Sequence, residues 1–341
     1  MSARVISRDR ISGFLDCILR KYPLVAPVEE DGVVAYRRVA AAREVALDAG
    51  LSDVPPKTHF FPQTEVLFHY SNLSGLEIVE PAGAPETVLF GVRPCDLRGF
   101  AALDPVFGGR FKDVYYRDKR EKTTVVGLSC TSVLPTCFCR AYGSSPVDGT
   151  GADLMFTRLG ERYLVEVRTP KGARLVEDCA DFFTEDGVRE AAREKEVLAR
   201  ELDGRFVRRV DLDSVKEKVD GMFESPYWGK LAQRCLGCGI CTFLCPTCHC
   251  FDIVDEDRGD RTGCRLRCWD SCMFTDFTLH TSGHNPRATK TERVRNRFLH
   301  KLKYHLDRYG LAGCVGCGRC VAKCPVNIDI TRVIAEIKEV D

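Results

Sequence analysis

No long apolar run occurs in this chain. Nowhere among its 341 residues do about 18 uncharged hydrophobic residues follow one another, so no segment crosses a bilayer as a helix by itself. The opening Met1-Ser-Ala-Arg-Val lacks the apolar stretch of a secretory signal, and the expected location is the cytoplasm. An excess of charge of one sign is also absent. Fifty Lys and Arg stand against 49 Asp and Glu, whereas nucleic-acid binding normally carries a strongly basic domain. No G-x-G-x-x-G follows a strand, and there is no P-loop and no Ser/His/Asp signature. The sequence therefore offers no site for a nicotinamide, flavin or nucleoside triphosphate, and no catalytic residue. Low-complexity segments are missing, and 44% apolar with 29% charged residues is an ordinary globular composition.

What the chain has in abundance is cysteine, nineteen in all. In a reducing compartment such thiols serve as metal ligands, and disulfides are not expected. Eight fall in two runs of the form C-x2-C-x2-C-x3-C-P: Cys235, Cys238, Cys241, Cys245 and then Cys314, Cys317, Cys320, Cys324. Three thiolates so spaced wrap three corners of one 4Fe-4S cube, and the fourth, turned away before proline, reaches the cube of the other run. The expected ligand sets are Cys235, Cys238, Cys241 with Cys324, and Cys314, Cys317, Cys320 with Cys245. Zinc takes cysteines as two separate pairs, so the arithmetic is wrong for it. Cys241-x3-Cys245-x2-Cys248 matches a radical S-adenosylmethionine spacing, but Cys241 and Cys245 are already used and no barrel-like series follows.

Residues 1–225 read as a mixed α/β domain. Thr87–Val92 and Thr123–Leu128 have the apolar run of buried strands, Tyr163–Arg168 alternates, a helix starts near Asp96, and another is expected from Thr184 to Leu202 with Thr184 as its cap. Residues 226–341 read as an all-α dicluster ferredoxin domain, with a helix from Thr291 to Arg308 ended by Gly310. The fold class is α+β. Residues 286–308 hold eight Lys or Arg against Glu292 and Asp307. Such a segment is either a solvated helix face or a patch that steers an acidic partner.

Further cysteines invite further sites. Cys95 and Cys130 each follow a predicted strand, so neighbouring strands would deliver both to one crevice, joined by Cys137 and Cys139 from the next loop. Two readings stand: a four-thiolate site, or four thiols packed as small hydrophobes. Cys248, Cys250 and Cys272 form another group, with His284 or Asp270 as fourth ligand. Cys264, Cys268 and Cys272, spaced i, i+4, i+8, would lie along one helix face about 6 Å apart per step, too spread for one metal. Cys17, Cys179, Cys264 and Cys268 read as structural, and His249, His280 and His284 as packing or catalytic.

Several motifs together resemble a known family: Gly91-Val-Arg-Pro-Cys95, Cys137-Phe-Cys139, Cys245-Pro-Thr-Cys248-His-Cys250, Trp269-Asp-Ser-Cys272, Ser282-Gly-His-Asn-Pro-Arg287, and the stretch from Pro55-Pro-Lys57 to Phe68. They look like the β subunit of cytoplasmic sulfhydrogenases and the related iron-sulfur subunit of anaerobic sulfite reductase. The resemblance implies an iron-sulfur electron-transfer subunit partnered by a flavin and 2Fe-2S subunit that handles NAD(P)(H), and by a catalytic redox subunit. Relatives sit beside heterodisulfide-reductase-like assemblies. The family pattern has cysteines matching Cys95, Cys130, Cys137, Cys139, Cys248, Cys250 and Cys272, implying one or two further iron-sulfur clusters beside the two of the ferredoxin runs. It has no counterparts of Cys264 and Cys268. Two rivals to a relay are a nucleic-acid protein with a structural cluster and a reductase whose own active site is an incompletely ligated cluster.

Overall fold

The computed structural model describes residues 2–340. Its strands in chain order are β1 (Ala3–Ser7), β2 (Leu24–Glu30), β3 (Val33–Val39), β4 (Thr64–Ser71), β5 (Glu77–Val79), β6 (Thr87–Val92), β7 (Thr123–Leu128), β8 (Leu154–Leu159), β9 (Arg162–Val167), β10 (Phe251–Asp257) and β11 (Thr262–Trp269). Its helices are α1 (Ile11–Leu19), α2 (Lys57–Phe60), α3 (Pro94–Gly108), α4 (Val114–Lys122), α5 (Pro170–Asp178), α6 (Val188–Gly204) and α7 (Val215–Gly221) in the first part of the chain. Then come α8 (Tyr227–Arg234), α9 (Ile240–Phe243), α10 (Lys290–Leu299), α11 (His305–Tyr309), α12 (Arg319–Ala322) and α13 (Ile330–Glu339).

Seven strands form one mixed sheet in the order β1-β9-β8-β7-β6-β2-β3, parallel across β2, β6, β7 and β8. The unbroken apolar character of β6 follows from burial on both faces. Val88 and Phe90 enter the core beneath α1 and α5 with Phe14 and Leu175, while Leu89 and Val92 enter the core beneath α2 and α3 with Phe60, Phe100 and Leu103. At the end of β6 the register shifts between Phe90 and Val92, and Gly91 there has φ of 82°. That bulge turns the chain into Arg93 and α3.

A helical core gathers α7, α8, α10 and α13 around Val219, Trp228, Phe298, Val333 and Ile337, with the Trp228 and Phe298 rings stacked. Because α7 belongs to this core, helical packing begins before residue 226. The expectation of an all-α second region fails at β10 and β11. This hairpin joins β4 and β5 in a second, antiparallel sheet of order β10-β11-β4-β5. The segment predicted to run as a helix through Cys264 and Cys268 is strand β11, and Cys272 lies beyond its end. A four-residue spacing puts two cysteines on one side of either element, since four is even and also close to one helical turn.

Two smaller expectations also shift. The helix predicted from Thr184 begins at Val188 behind Gly187, because Thr184 exchanges backbone hydrogen bonds with Val5 instead. The helix predicted from Thr291 starts at Lys290 under a Thr289–Glu292 capping box. It passes through a π-helical turn, His300–Tyr304, into α11, and ends at left-handed Gly310.

Cys17 and Cys179 are joined by a disulfide, against expectation, with Cα atoms 6.1 Å apart. Helix α1 and the end of α5 pack on the same sheet face, which brings the two buried thiols together. The bond spans 162 residues of sequence, and closing such a loop restricts the unfolded chain by up to about 5 kcal/mol. Thermal unfolding should therefore separate oxidised wild type from Cys17→Ala by several degrees, and the gap should shrink when reductant opens the bond. A gap that ignores reductant would mean the effect is packing alone.

Candidate iron-sulfur sites

The two cysteine runs fold alike. Gly237 and Gly316 have φ of 72° and 66°, and Gly239 and Gly318 have φ of 76° and 78°. These left-handed positions curl each loop around its cysteines, which explains glycine at both x positions. Each loop then enters one short helix, α9 or α12. Backbone N–H groups point at sulfur: Gly237 donates to Cys235 Sγ at 3.3 Å, Gly316 to Cys314 Sγ at 3.4 Å and Ile328 to Cys324 Sγ at 3.2 Å. Such donors stabilise thiolates.

One cavity is lined by Cys235, Cys238, Cys241 and Cys324, with Val294, Arg297, Phe298 and Ile328. This is the crossed set expected from spacing. Arg297 is buried, and its Nε has no hydrogen-bond partner, an orphaned donor beside four sulfurs. Burial pushes the Cys241 thiol up. The second crossed set is also assembled. Burial raises Cys314, Cys317 and Cys320, and the nearby Cys245 thiolate adds to each. Beside Cys314 lies the Tyr142 hydroxyl, buried and without a partner. Both orphans fit a cluster that supplies sulfur acceptors there. Among the described residues no three His, Cys, Asp or Glu side chains converge on a single-ion site.

Strands β6 and β7 are parallel neighbours, so their carboxyl ends place Cys95 and Cys130 together. With Cys137 and Cys139 they line one cavity, together with Arg93, Gly316 and Cys317. Burial pushes Cys130 up to about 11 and Cys139 up to about 12. At Cys95, at the start of α3, burial and then Asp96 hold the thiol well above the ordinary range. Without a metal these groups are protonated thiols, and ligation displaces the protons. The cavity touches the second run directly. Phe138 N donates to Gly316 O at 2.8 Å, and a Cβ on Gly316 would lie 2.5 Å from Phe138 O.

In the third group, Cys245 contacts Cys248 and Cys250 contacts Cys272 as two thiol pairs. The Cys248 thiol holds Cys245 well below its ordinary value, helped by the Lys301 ammonium. Lys301 Nζ donates to Cys245 Sγ at 3.2 Å and to Thr247 Oγ1 at 2.8 Å. Lys57, 2% exposed, donates to Cys248 O at 2.7 Å and lies 4.0 Å over the Trp269 ring. Burial brings Lys57 down to about 8, which leaves it charged at neutral pH. Cys272 is placed by the turn after β11, where Asp270 N donates to Cys250 O. Neither expected fourth ligand joins these cysteines: the Asp270 carboxylate accepts from Ser271 N, and His284 sits on an exposed turn beside His280. His249 is buried and neutral, pushed down to about 4 by burial. Cys264 hydrogen-bonds to Glu256 on the second sheet, away from the three groups.

The sequence reading overlooked Lys57, Arg93, Arg297 and Lys301. Lys57 and Arg93 do stand inside the Pro55-Pro-Lys57 and Gly91-Val-Arg-Pro-Cys95 motifs, which was the available signal.

Residues 234–328 match the family described as a 4Fe-4S dicluster domain. The whole chain is similar to Sulfhydrogenase 2 subunit beta of Pyrococcus furiosus, 33% identical over 319 residues that cover 92% of this chain and 91% of the relative. No solved structure matches.

Proposed function

The chain belongs to the sulfhydrogenase β-subunit family, and from that premise we propose that it is the iron-sulfur relay of a multi-subunit, NAD(P)-linked oxidoreductase. One partner carries flavin and a 2Fe-2S centre, the other is a catalytic redox subunit, and this chain passes electrons between them. No helix among the described residues is long and apolar enough to cross a membrane. Bound 4Fe-4S clusters supply one-electron carriers. The ligands are Cys235, Cys238, Cys241 and Cys324 for one, Cys314, Cys317, Cys320 and Cys245 for the next, and Cys95, Cys130, Cys137 and Cys139 for a third. Cys248, Cys250 and Cys272 contribute to a further site.

The observation that carries this reading is contiguity. The amino-terminal cavity shares Cys317 with the second run, Arg297 stands beside both Cys241 and Cys320, and Cys245 touches Cys248. The other sets thus adjoin the second run, which stands between the end of the large sheet and the helical core. Around them Val294, Phe298 and Ile328 exclude water, and backbone amides hold the sulfurs. Lacking a nucleotide motif, the purified flavin-free chain should not reduce a viologen dye with NADH or NADPH, and should gain that activity when the flavin subunit is added. Steady dye reduction by the chain alone would sink the relay reading.

Replacing Cys95, Cys130, Cys137 and Cys139 together with serine in the full chain should remove one cluster's iron and acid-labile sulfide, leaving the ferredoxin signals in place. Unchanged iron would make these four merely buried thiols.

A further inference from the structure

Six lysine and arginine side chains are buried among the described residues: Lys57, Arg93, Arg267, Arg297, Lys301 and Arg319. Leaving a cation in the interior without a counter-charge is strongly destabilising. Two of the six have carboxylates. Arg267 pairs with Glu65 and Asp113, and Arg319 with both oxygens of Asp96. Among the described residues the other four pair with no carboxylate, and each stands at a cysteine set. Arg93 lines the cavity of Cys95, Cys130, Cys137 and Cys139, held by the carbonyls of Ala49, Leu128 and Ser129. Arg297 lines the cavity of Cys235, Cys238, Cys241 and Cys324 with Nε unpartnered. Lys301 donates to Cys245 Sγ. Lys57 donates to the carbonyl of Cys248.

We infer that Arg93, Arg297, Lys301 and Lys57 are the built-in counter-cations of the cysteine-held iron-sulfur sites, and that each cation raises the reduction potential of the site or sites it stands beside. The inference rests on the relay reading above, in which those cysteines are ligands. Thiolate-ligated clusters carry net negative charge, and that charge is among the factors that set their potentials. Reduction adds one more negative charge a few ångströms from the buried cation, where attraction is little screened, so the cation stabilises the reduced form. The contrast with Arg267 makes the point internally: a buried cation away from the cysteine sets has carboxylates, whereas these four have sulfur, hydroxyl or backbone-carbonyl partners.

The test is an anaerobic redox titration of the full chain, followed by electron paramagnetic resonance, with iron and acid-labile sulfide measured on the same samples. The variants are Lys57→Met, Lys301→Met and Arg297→Met, which keep length and remove charge, and Lys57→Arg, which keeps charge. Each methionine variant should retain iron while one midpoint falls by at least 59 mV, a tenfold change in a one-electron equilibrium. Midpoints of sites that the altered side chain does not adjoin should hold, and Lys57→Arg should stay at the wild-type value. Full iron with every midpoint unmoved, or a midpoint that rises, overturns the inference. If Lys57→Met loses iron, retention of iron by Lys57→Arg supports a charge requirement, whereas loss in both makes Lys57 a packing residue and overturns its part. Failure of the relay reading shows separately: wild type with iron for only two clusters removes the extra sites, while Arg297 and Lys301 remain testable on the ferredoxin pair.

Discussion

Replacing Cys324 with alanine will abolish or alter the cluster seated on Cys235, Cys238 and Cys241, which lie some 80 residues upstream, and will spare the one on Cys314, Cys317 and Cys320, its immediate neighbours in sequence. The four sulfurs of the affected set line one cavity, and Cys324 Sγ is positioned there by the Ile328 amide just before α13. Loss of a whole cluster is the expected result, read by iron content and by which paramagnetic signal disappears. Folding should suffer as well, because structural metals contribute on the order of 10 kcal/mol and α10 and α13 close over this cavity. Cys245→Ala should do the reverse, removing the cluster on the second run. Its effect should spread further, since Cys245 also contacts Cys248 and accepts from Lys301, so the third cysteine group should be perturbed too. A Cys324→Ala protein that loses only the signal of the second run would refute crossed ligation.

Asp96→Ala will cost about 3–5 kcal/mol, the loss expected when one partner of a buried ion pair is removed. Asp96 and Arg319 are 0% and 3% exposed and joined by two hydrogen bonds of 2.7 and 2.8 Å, and the Arg319 Nε also donates to Ser52 O. The pair links the residue after Cys95 with the residue before Cys320, so it fixes the first α/β cysteine set against the second ferredoxin run. Chemical unfolding monitored by cluster absorbance should shift to lower denaturant in Asp96→Ala and in Arg319→Met. The double variant Asp96→Leu with Arg319→Met should lose less than the two single losses combined, because no uncompensated charge remains inside. Additive losses would mean the two side chains do not act as a pair.

Strands β6 and β7 were legible because an apolar run of six residues bounded by polar ones records burial on both faces, and Cys95 and Cys130 followed from their ends. The hairpin β10-β11 was not. Its partner β4 lies about 200 residues upstream, and a spacing of four between Cys264 and Cys268 suits a strand face as well as a helix face. The site shows the same division. Cysteine spacing pointed to the two crossed sets of four sulfurs, whereas nothing near Lys301 or Arg297 in a segment rich in basic residues marks those two as the fully buried ones.

By itself the sequence determined the cysteine runs, the glycines that curl them, the strands with their trailing cysteines, and the absence of nucleotide motifs. All are short-range patterns, fixed by spacing along the chain and by backbone geometry. Only the tertiary structure decided that Cys17 meets Cys179, that β11 completes a sheet with β4, and that Asp96 pairs with Arg319. It alone decided that four buried cations without carboxylates stand among the cysteine sets. Those facts depend on which surfaces pack together after collapse, and charge or sulfur at a given position carries no local mark of what will lie against it.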